Sequence, residues 1–247
     1  PKAFIFENVR GLLRPAFSNY VEYIRLQMEF PEFPISHNVS WDRNLARLER
    51  HKEKSADKSD ELRYRVHLHQ ANAADFGVPQ HRHRVFFIGF RSDISTDWSF
   101  PKETHAHPSL WRPLSEAIGD LPDPSSLGEG KIQNHRFQPG AKSYPGHTGS
   151  SLDRPAKALK AGAHGVPGGE NMILFPDESV RYLTIRESAR VQTFPDDYIF
   201  LGSWTEAMRQ LGNAVPVKLA EIVGRSVARA LSGHSARKRQ FSGDEAV

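Results

Sequence analysis

The 247-residue sequence contains no cysteine. Disulfide bonds and thiolate metal sites are therefore excluded within this chain, and so is a cysteine nucleophile. The sequence also lacks an apolar run of membrane-spanning length, and its amino terminus lacks the basic and then apolar pattern of a signal peptide. We therefore expect an intracellular, cytoplasmic location.

A strong excess of charge is also absent, because 33 Lys and Arg residues face 29 Asp and Glu residues, for a net charge of +4. This balance permits an anionic partner such as nucleic acid but does not require one. The 38% hydrophobic content is enough for the core of one large or two small domains. The chain starts at Pro1 and runs almost at once into an apolar stretch, so either the start of a domain is missing or an initiator Met has been removed.

The first ninety residues have an α/β pattern. A short apolar run at Ala3–Phe6 predicts a buried strand, and the spacing in Phe17–Phe30 predicts a helix after it. We interpret the charged stretch Trp41–Arg65 as a solvated helix or a mobile insertion, and a dedicated basic DNA-binding arm is the less favoured alternative. Tyr64–Asn72 and Val85–Phe90 are predicted to be paired strands.

The second half changes in composition. Pro, Gly, Ser and His are frequent from Pro101 to Gly169, which predicts a module of short strands and loops with one helical turn within Arg112–Pro122. Thr184 and Glu187 have the spacing of a capping box, which gives Glu187 a structural role. Pro216 is expected to open a last helix that runs to about Leu231.

Glu7 is the first candidate for chemistry, since it lies where an apolar strand ends. In open α/β sheets, ligands bind beyond the carboxyl ends of the strands, and a buried carboxyl group there can act as a proton donor. The alternative is a carboxylate that only caps or pairs near a strand end.

Gln80, Arg82 and Arg84 are the second candidates, because they are two residues apart on an extended segment and are expected to face one side, about 7 Å apart. Guanidinium groups suit phosphate oxygens or the carbonyl of a base. The alternative is an exposed strand edge that carries basic residues against aggregation.

Two other patterns are weaker. The alternation of His67, His69, His81 and His83 comes without Cys or organised carboxylates, so solvent-facing strand histidines are the better interpretation and no metal site is predicted. Gly212–Pro216 forms a turn into the last helix, which is either an ordinary helix entry or a ligand contact at a helix amino terminus.

Four short motifs in order resemble the DNA (cytosine-5) methyltransferases. These motifs are Glu7-Asn8-Val9, Gln80-His-Arg82-His-Arg84, Arg186-Glu187-Ser-Ala-Arg190 and Gly212-Asn213-Ala214-Val-Pro216. Each is weak alone, but their order, with a Pro- and Gly-rich module between the second and third, is a specific signal. The resemblance extends from Lys2 to about Leu231.

The resemblance implies an α/β fold that is part of a Rossmann-like S-adenosylmethionine-dependent methyltransferase sheet, plus a smaller, irregular, mainly β target-recognition domain. Residues 1–91 would be the carboxy-terminal part of the catalytic domain, 92–180 the target-recognition domain, 181–233 a return to the catalytic domain, and 234–247 a disordered tail. Such enzymes flip a cytosine out of double-stranded DNA and methylate its carbon 5. Many act in bacterial restriction-modification systems.

The resemblance also assigns roles to residues. Glu7 would hold or protonate the ring at N3 and contact the exocyclic amine. Arg84 would contact O2 and the adjacent phosphate, and Arg82 would support the site and the DNA backbone. Asn8 and Gln80 join the DNA-binding set, and Asn213 and Ala214 would border the S-adenosylmethionine pocket.

The sequence departs from the family in two ways. The family's Pro-Cys loop, which bears the nucleophile that attacks carbon 6, and its glycine-rich cofactor motif both precede Glu-Asn-Val, and neither is in this chain. We therefore expect the carboxy-terminal part of an enzyme that is inactive alone, either a partial chain or one subunit of a split methyltransferase. A non-catalytic DNA-recognition subunit is the alternative function.

Overall fold

The structure, a computed structural model, describes residues 1–55, 61–126, 131–161 and 171–243, with side chains described up to residue 233. The chain divides into two compact units. The first comprises Pro1–Ala71, His83–Pro101 and Val223–Val247, and the second comprises Asn72–Arg82 and Lys102–Ile222. The boundaries predicted for the catalytic and recognition domains stay predictions.

The first unit contains a sheet of three strands in the order β1-β3-β2. Strand β1 spans Ala3–Val9, β2 spans Tyr64–Asn72 with the bounds predicted from the sequence, and β3 spans His83–Arg91. Strands β1 and β3 are antiparallel, with Ala3 opposite Phe90 and Val9 opposite Arg84. The middle strand, β3, is buried continuously from Val85 to Phe90, as expected for a strand covered on both faces.

Strand β1 differs from the buried strand that the sequence predicted. Ile5 and Phe6 are exposed, and Val9 is 53% exposed. The physical reason is the position of β1, which pairs only with β3 among the described residues and therefore forms an edge of the sheet. Its apolar composition is that of an inner strand, but its surroundings here are those of an edge.

Two helices complete the core of the first unit. Helix α1 spans Ser18–Glu29 and α2 spans Trp41–Lys54, which confirms a helix rather than an irregular insertion in the charged stretch. Their apolar side chains form one cluster, made of Tyr23, Leu26, Phe30, Leu45 and Leu48. The apolar positions of α2 are few, but they recur at helical spacing and suffice to pack it against α1.

The second unit combines a small sheet with short helices. Strand β4 (Ser150–Ser151) is parallel to β5 (Met172–Leu174), which is antiparallel to β6 (Val180–Tyr182). The one described α-helix between Ser92 and Val180 is α3, Leu114–Ile118. Short strands and loops thus dominate this stretch, as the sequence predicted.

Three further helices follow the small sheet. Helix α4 spans Ile185–Val191, α5 spans Trp204–Asn213 and α6 spans Val217–Gly243. The capping box of α4 is confirmed, since Thr184 accepts from the backbone N–H of Glu187 and the Glu187 carboxylate accepts from that of Thr184. Helix α6 begins after Pro216 as predicted. Helix α6 extends beyond the predicted end at about Leu231 and includes residues 234–243 of the predicted tail, and residues 244–247 lie outside the described part of the chain.

Among the described residues, no helix has the length and apolar character needed to cross a membrane.

Candidate functional site

Glu7 and Arg84 form an ion pair in the first unit. Glu7 is opposite Phe86 in the β1–β3 register, and Arg84 is opposite Val9, so the two side chains are diagonal neighbours on one face of the sheet. The Arg84 Nε atom lies 2.7 Å from Glu7 Oε1, which is the distance of a close ion pair. The alternation of strand positions therefore places the acid and the base of two separate motifs side by side.

This pair is only partly covered. The Arg84 side chain is 11% exposed and that of Glu7 is 25% exposed, so both are accessible from solvent at one edge. Burial lowers the pKa of Arg84 from its ordinary value, and the charge and hydrogen bond of Glu7 act in the opposite direction. A second nitrogen of Arg84, Nη1, donates to the carbonyl oxygen of His83 over 2.8 Å. The guanidinium is thus held by two partners.

Asn8 lies beside Glu7 on β1 and is half-buried. Its Oδ1 atom accepts from the backbone N–H of Val9 over 2.8 Å. This contact shapes the end of the strand, and the predicted contact of Asn8 with DNA stays a prediction.

Gln80 is fully buried in the second unit. Its Oε1 accepts from the backbone N–H of Leu159 over 3.1 Å, and its Nε2 is 3.5 Å from the carbonyl oxygen of Val191. The backbone around it forms a parallel bridge to Ala156. The side chain of Gln80 therefore joins three distant segments of the second unit.

Arg82 is also buried, at 1% exposure. Its Nη1 donates to the carbonyl oxygen of Leu159 over 2.9 Å, and its Nη2 donates to that of Gly212 over 2.6 Å. The Gly212 carbonyl belongs to the turn that the sequence singled out. These described partners of Arg82 are backbone carbonyls, so its predicted support of the site is consistent with holding this turn in place.

Gly212 and Asn213 are the last two residues of α5, so the turn predicted over Gly212–Pro216 comprises only Ala214 to Pro216 outside the helices. The backbone of Gly212 packs so closely on the 160–161 segment that a Cβ atom at this position would overlap Ala161. Asn213 is exposed and Ala214 is half-buried, so both are accessible to a ligand, as the predicted cofactor role requires. Gly212 is therefore fixed by packing and Asn213 is presented to solvent.

Gln192, the residue after α4, contacts this turn and was missed by the sequence interpretation. It is fully buried, and its Nε2 donates to the carbonyl oxygen of Leu211 over 2.5 Å and lies 3.5 Å from that of Ala214. Its own carbonyl oxygen accepts from the backbone N–H of Val217 over 3.0 Å. The available signal for this role was a polar residue two positions before Phe194-Pro195, where the helix was predicted to end. The sequence could not reveal its partners, because they lie about twenty residues away.

The third motif forms ion pairs. The Glu187 carboxylate receives two hydrogen bonds from Arg181, of 2.7 and 2.8 Å, in addition to capping α4. Arg190 donates to Asp196 and to Asp120, and its pKa is raised by the hydrogen bond to Asp196 in the first place. These contacts support the structural role predicted for Glu187 and extend it to Arg190.

Three of the four histidines pack against aromatic rings, so they are not the solvent-facing residues that the sequence predicted. His67 packs edge-on against Trp98, with ring centroids 5.2 Å apart, and His69 stacks on Phe100 at 3.8 Å. His81 packs edge-on against Trp111 at 4.5 Å. Aromatic side chains far along the sequence cover these rings, which the local alternation could not reveal. Within the described parts of the chain, no group of three His, Cys, Asp or Glu residues is arranged to hold a metal ion.

A solved structure is similar to this fold. It is that of a DNA modification methyltransferase encoded within a prophage of E. coli, with a TM-score of 0.56, 19% sequence identity, and coverage of 94% of this chain and 70% of that chain. The chain therefore has the α/β fold of the methyltransferase class.

Curated relatives are also similar in sequence. The type II methyltransferase M.MthTI of Methanothermobacter thermautotrophicus is 34% identical over 198 residues, which cover 70% of this chain and 59% of M.MthTI. M.BspRI of Lysinibacillus sphaericus is 34% identical over 234 residues, which cover 85% of this chain and 54% of M.BspRI. The chain thus spans between half and three fifths of the length of these relatives.

Residues 43–229 match the model of the C-5 cytosine-specific DNA methylase family. The chain belongs to this family, which confirms the resemblance seen in the four motifs.

Proposed function

We propose that this chain supplies the base-holding pair and the DNA-recognition part of an enzyme that transfers a methyl group from S-adenosylmethionine to carbon 5 of cytosine, within a specific sequence of double-stranded DNA. The observation that carries this proposal is the 2.7 Å ion pair between Glu7 and Arg84. Family membership supports the same reaction.

The chemistry of cytosine fits this pair. The Watson–Crick edge of the base presents an amine donor at N4 and acceptors at N3 and O2. A protonated Glu7 carboxyl group would accept from N4 and donate to N3, while Arg84 would donate to O2. The two side chains together thus match all three atoms. Protonation at N3 withdraws electrons from the ring and favours addition of a nucleophile at carbon 6.

S-adenosylmethionine supplies the methyl group in this reaction. In this chain, Asn213 and Ala214 would border its pocket, since both are accessible at the end of α5. Arg82 and Gln80 would support the site through the backbone, because Arg82 holds the 212–216 turn and Gln80 holds the 156–159 segment. Asn8 would join Arg84 in contacts with the DNA near the flipped base.

The nucleophile and most of the cofactor site would come from a second part of the enzyme, in the same polypeptide or in a separate subunit. The chain has no cysteine and spans between half and three fifths of the two relatives compared. The exposed edge of β1 is a surface suited to this second part. Beside it is an apolar groove, whose lining includes Phe4, Ile5, Met28 and Tyr64. The type II relatives suggest a restriction-modification context.

The alternative is a recognition subunit that binds DNA without catalysis, and the lack of a cysteine favours it. This alternative predicts sequence-selective, salt-sensitive binding by the chain alone, and no methyl transfer when any amino-terminal partner is added. It also gives no reason for the Glu7–Arg84 pair, which a module that only binds DNA does not need.

Reconstitution distinguishes the two functions. The chain is mixed with a separately produced amino-terminal half of a family member, and the transfer of tritiated methyl groups from S-adenosylmethionine to duplex DNA is measured. We expect activity with both parts, and a loss of at least 100-fold in Glu7→Gln, because the amide cannot protonate N3. Glu103→Gln, at a residue outside the motifs, is the matched control. Full activity of Glu7→Gln would contradict the role of Glu7, and DNA binding without transfer by any assembled pair would favour the alternative.

A further inference from the structure

Residues 131–161 have a local excess of positive charge. This segment contains six Lys and Arg residues and a single acidic residue, Asp153, so its net charge is +5. The whole chain has a net charge of +4, and the remaining residues therefore have a net charge of −1. All six basic side chains are exposed: Lys131, Arg136, Lys142, Arg154, Lys157 and Lys160. An exposed basic segment on a nearly neutral chain is the electrostatic pattern of a contact with nucleic acid.

A tight hairpin projects from this segment. The backbones of Tyr144 and His147 exchange hydrogen bonds of 2.8 and 3.3 Å around Pro145 and Gly146. Gly146 has a φ of 83°, the positive value that a type II turn requires of its third residue. Proline fixes the preceding φ, so the turn has little freedom to rearrange.

The tip of the hairpin presents two rings. The rings of Tyr144 and His147 are 4.3 Å apart, and Tyr144 is 51% exposed although it is a large aromatic residue. A tyrosine and a histidine each combine a flat surface with a hydrogen-bonding group, which suits contact with base edges. The pair is preformed, so little side-chain entropy is lost on binding.

Lysines flank the tip, and the base of the hairpin is anchored. The Lys157 Nζ atom donates to Thr148 Oγ1 over 2.9 Å, and the backbone N–H of Lys157 donates to Ser150 Oγ on β4 over 3.0 Å. Lys142 is two residues before Tyr144 and is exposed. Gly149 packs on the backbone of β5, where a Cβ atom would come within 3.2 Å. This single hairpin turn is no wider than a two-stranded ribbon, which the major groove of DNA admits.

We propose that the Tyr144–His147 hairpin enters a groove of duplex DNA and contacts base edges, while Lys142 and Lys157 contact the flanking phosphates. This inference rests on the proposed function and names the residues by which the recognition part reads its target. Nothing in the four motifs points to these residues, because they lie between the second and third motifs.

Affinity measurements test the phosphate contacts. Binding of the chain to a labelled duplex is followed by fluorescence anisotropy over a range of salt concentrations. We expect the plot of log K against log salt to lose a slope of about 1 for Lys142→Ala and about 2 for Lys142→Ala combined with Lys157→Ala. Lys102→Ala, which removes an exposed lysine outside the segment, is the matched control and should leave the slope unchanged. Equal slopes in the wild type and the double variant would overturn the proposal.

Selection from a randomised duplex library tests the base contacts. The wild type should enrich one sequence motif. Lys142→Ala should enrich the same motif but bind it more weakly. Tyr144→Ala and His147→Ala should each enrich a motif that is degenerate at one or two positions. Tyr198→Ala, at another half-exposed tyrosine, is the control for aromatic loss. An unchanged motif in both tip variants would overturn the proposal that the hairpin contacts base edges, and the proposed function would stand. Absence of any duplex binding by the wild type, or tighter binding to RNA than to DNA, would overturn both.

Discussion

The guanidinium of Arg82 donates a hydrogen bond of 2.6 Å to the carbonyl oxygen of Gly212, 130 residues further along the chain. It also holds the carbonyl of Leu159, so one buried side chain joins the second motif, the segment before residue 162 and the fourth motif. An arginine that sequence reasoning placed on DNA is thus bonded to the backbone of the fourth motif. Its contribution to activity would come through the position of the 212–216 turn.

Replacement of Arg82 by Ala should lower the free energy of unfolding by about 3 kcal/mol or more, because two buried carbonyl groups lose their donor. Equilibrium unfolding in urea measures this change. Arg154→Ala is the matched control, since the Arg154 side chain is 79% exposed. It should change the stability by less than about 0.5 kcal/mol. Equal effects of the two substitutions would contradict the buried position of Arg82.

Gly212→Ala should destabilise the protein by about 1–3 kcal/mol, because the new methyl group would overlap the backbone of Ala161 and force the turn to shift. Gly224→Ala provides the contrast. Gly224 is within α6, and a Cβ atom there meets nothing within 4 Å. Alanine is the better helix former, so this second change should raise the stability by about 0.5–1 kcal/mol. Thermal unfolding of both variants measures the opposite signs, and a shared sign would refute the packing at Gly212.

Thr184→Ala should cost about 1–2 kcal/mol, since Thr184 both caps α4 and contacts His135 Nδ1 at 2.9 Å. Thr184→Ser keeps the hydroxyl group and should recover most of this loss. Unfolding by denaturant compares the two variants with the wild type. If serine were as harmful as alanine, the methyl group and not the cap would be the important part of Thr184.

Stability should fall as the pH drops below about 6.5, in part because of His67. Burial lowers the pKa of His67 from its ordinary value of 6.5, and the charge of Arg65 lowers it further. Between the lowered pKa and 6.5, the unfolded chain binds more protons than the folded chain, so stability rises with pH across this window and is lost on acidification. His67→Gln should flatten this dependence of the melting temperature on pH.

The matched control for this pH dependence is His37→Gln, at an exposed histidine of the first unit. It should leave the slope as in the wild type. The same slope in His67→Gln and the wild type would show that burial of His67 does not contribute to acid sensitivity.

The sequence predicted those features whose cause is local. The bounds of β2, the Thr184–Glu187 capping box and the start of α6 after Pro216 all depend on neighbouring residues, and all were confirmed. Helix α5 was missed, although its apolar residues recur at helical spacing and Ser203 and Glu206 form a second capping box. This helical pattern was present in the sequence, but the interpretation considered only the Gly212–Pro216 turn at its end.

Other features depend on distant contacts. The burial of Gln80 and Arg82 was hidden, because polar residue types indicate exposure and their partners are 77 to 130 residues away. The exposed apolar surface of β1 was hidden as well, since its composition is that of an inner strand. The ion pair between Glu7 and Arg84 was not predicted, and the antiparallel register supplies its geometric reason.

The open edge of β1 has a consequence for how the protein is made. Among the described residues β1 pairs on one side only, so this edge offers backbone groups and exposed apolar side chains to any extended chain nearby, including a second copy of itself. In the enzyme that we propose, the interval between synthesis of the chain and coverage of this edge by the second part would be a period of aggregation risk. Production together with the part that covers β1 should give a higher soluble yield than production of the chain alone.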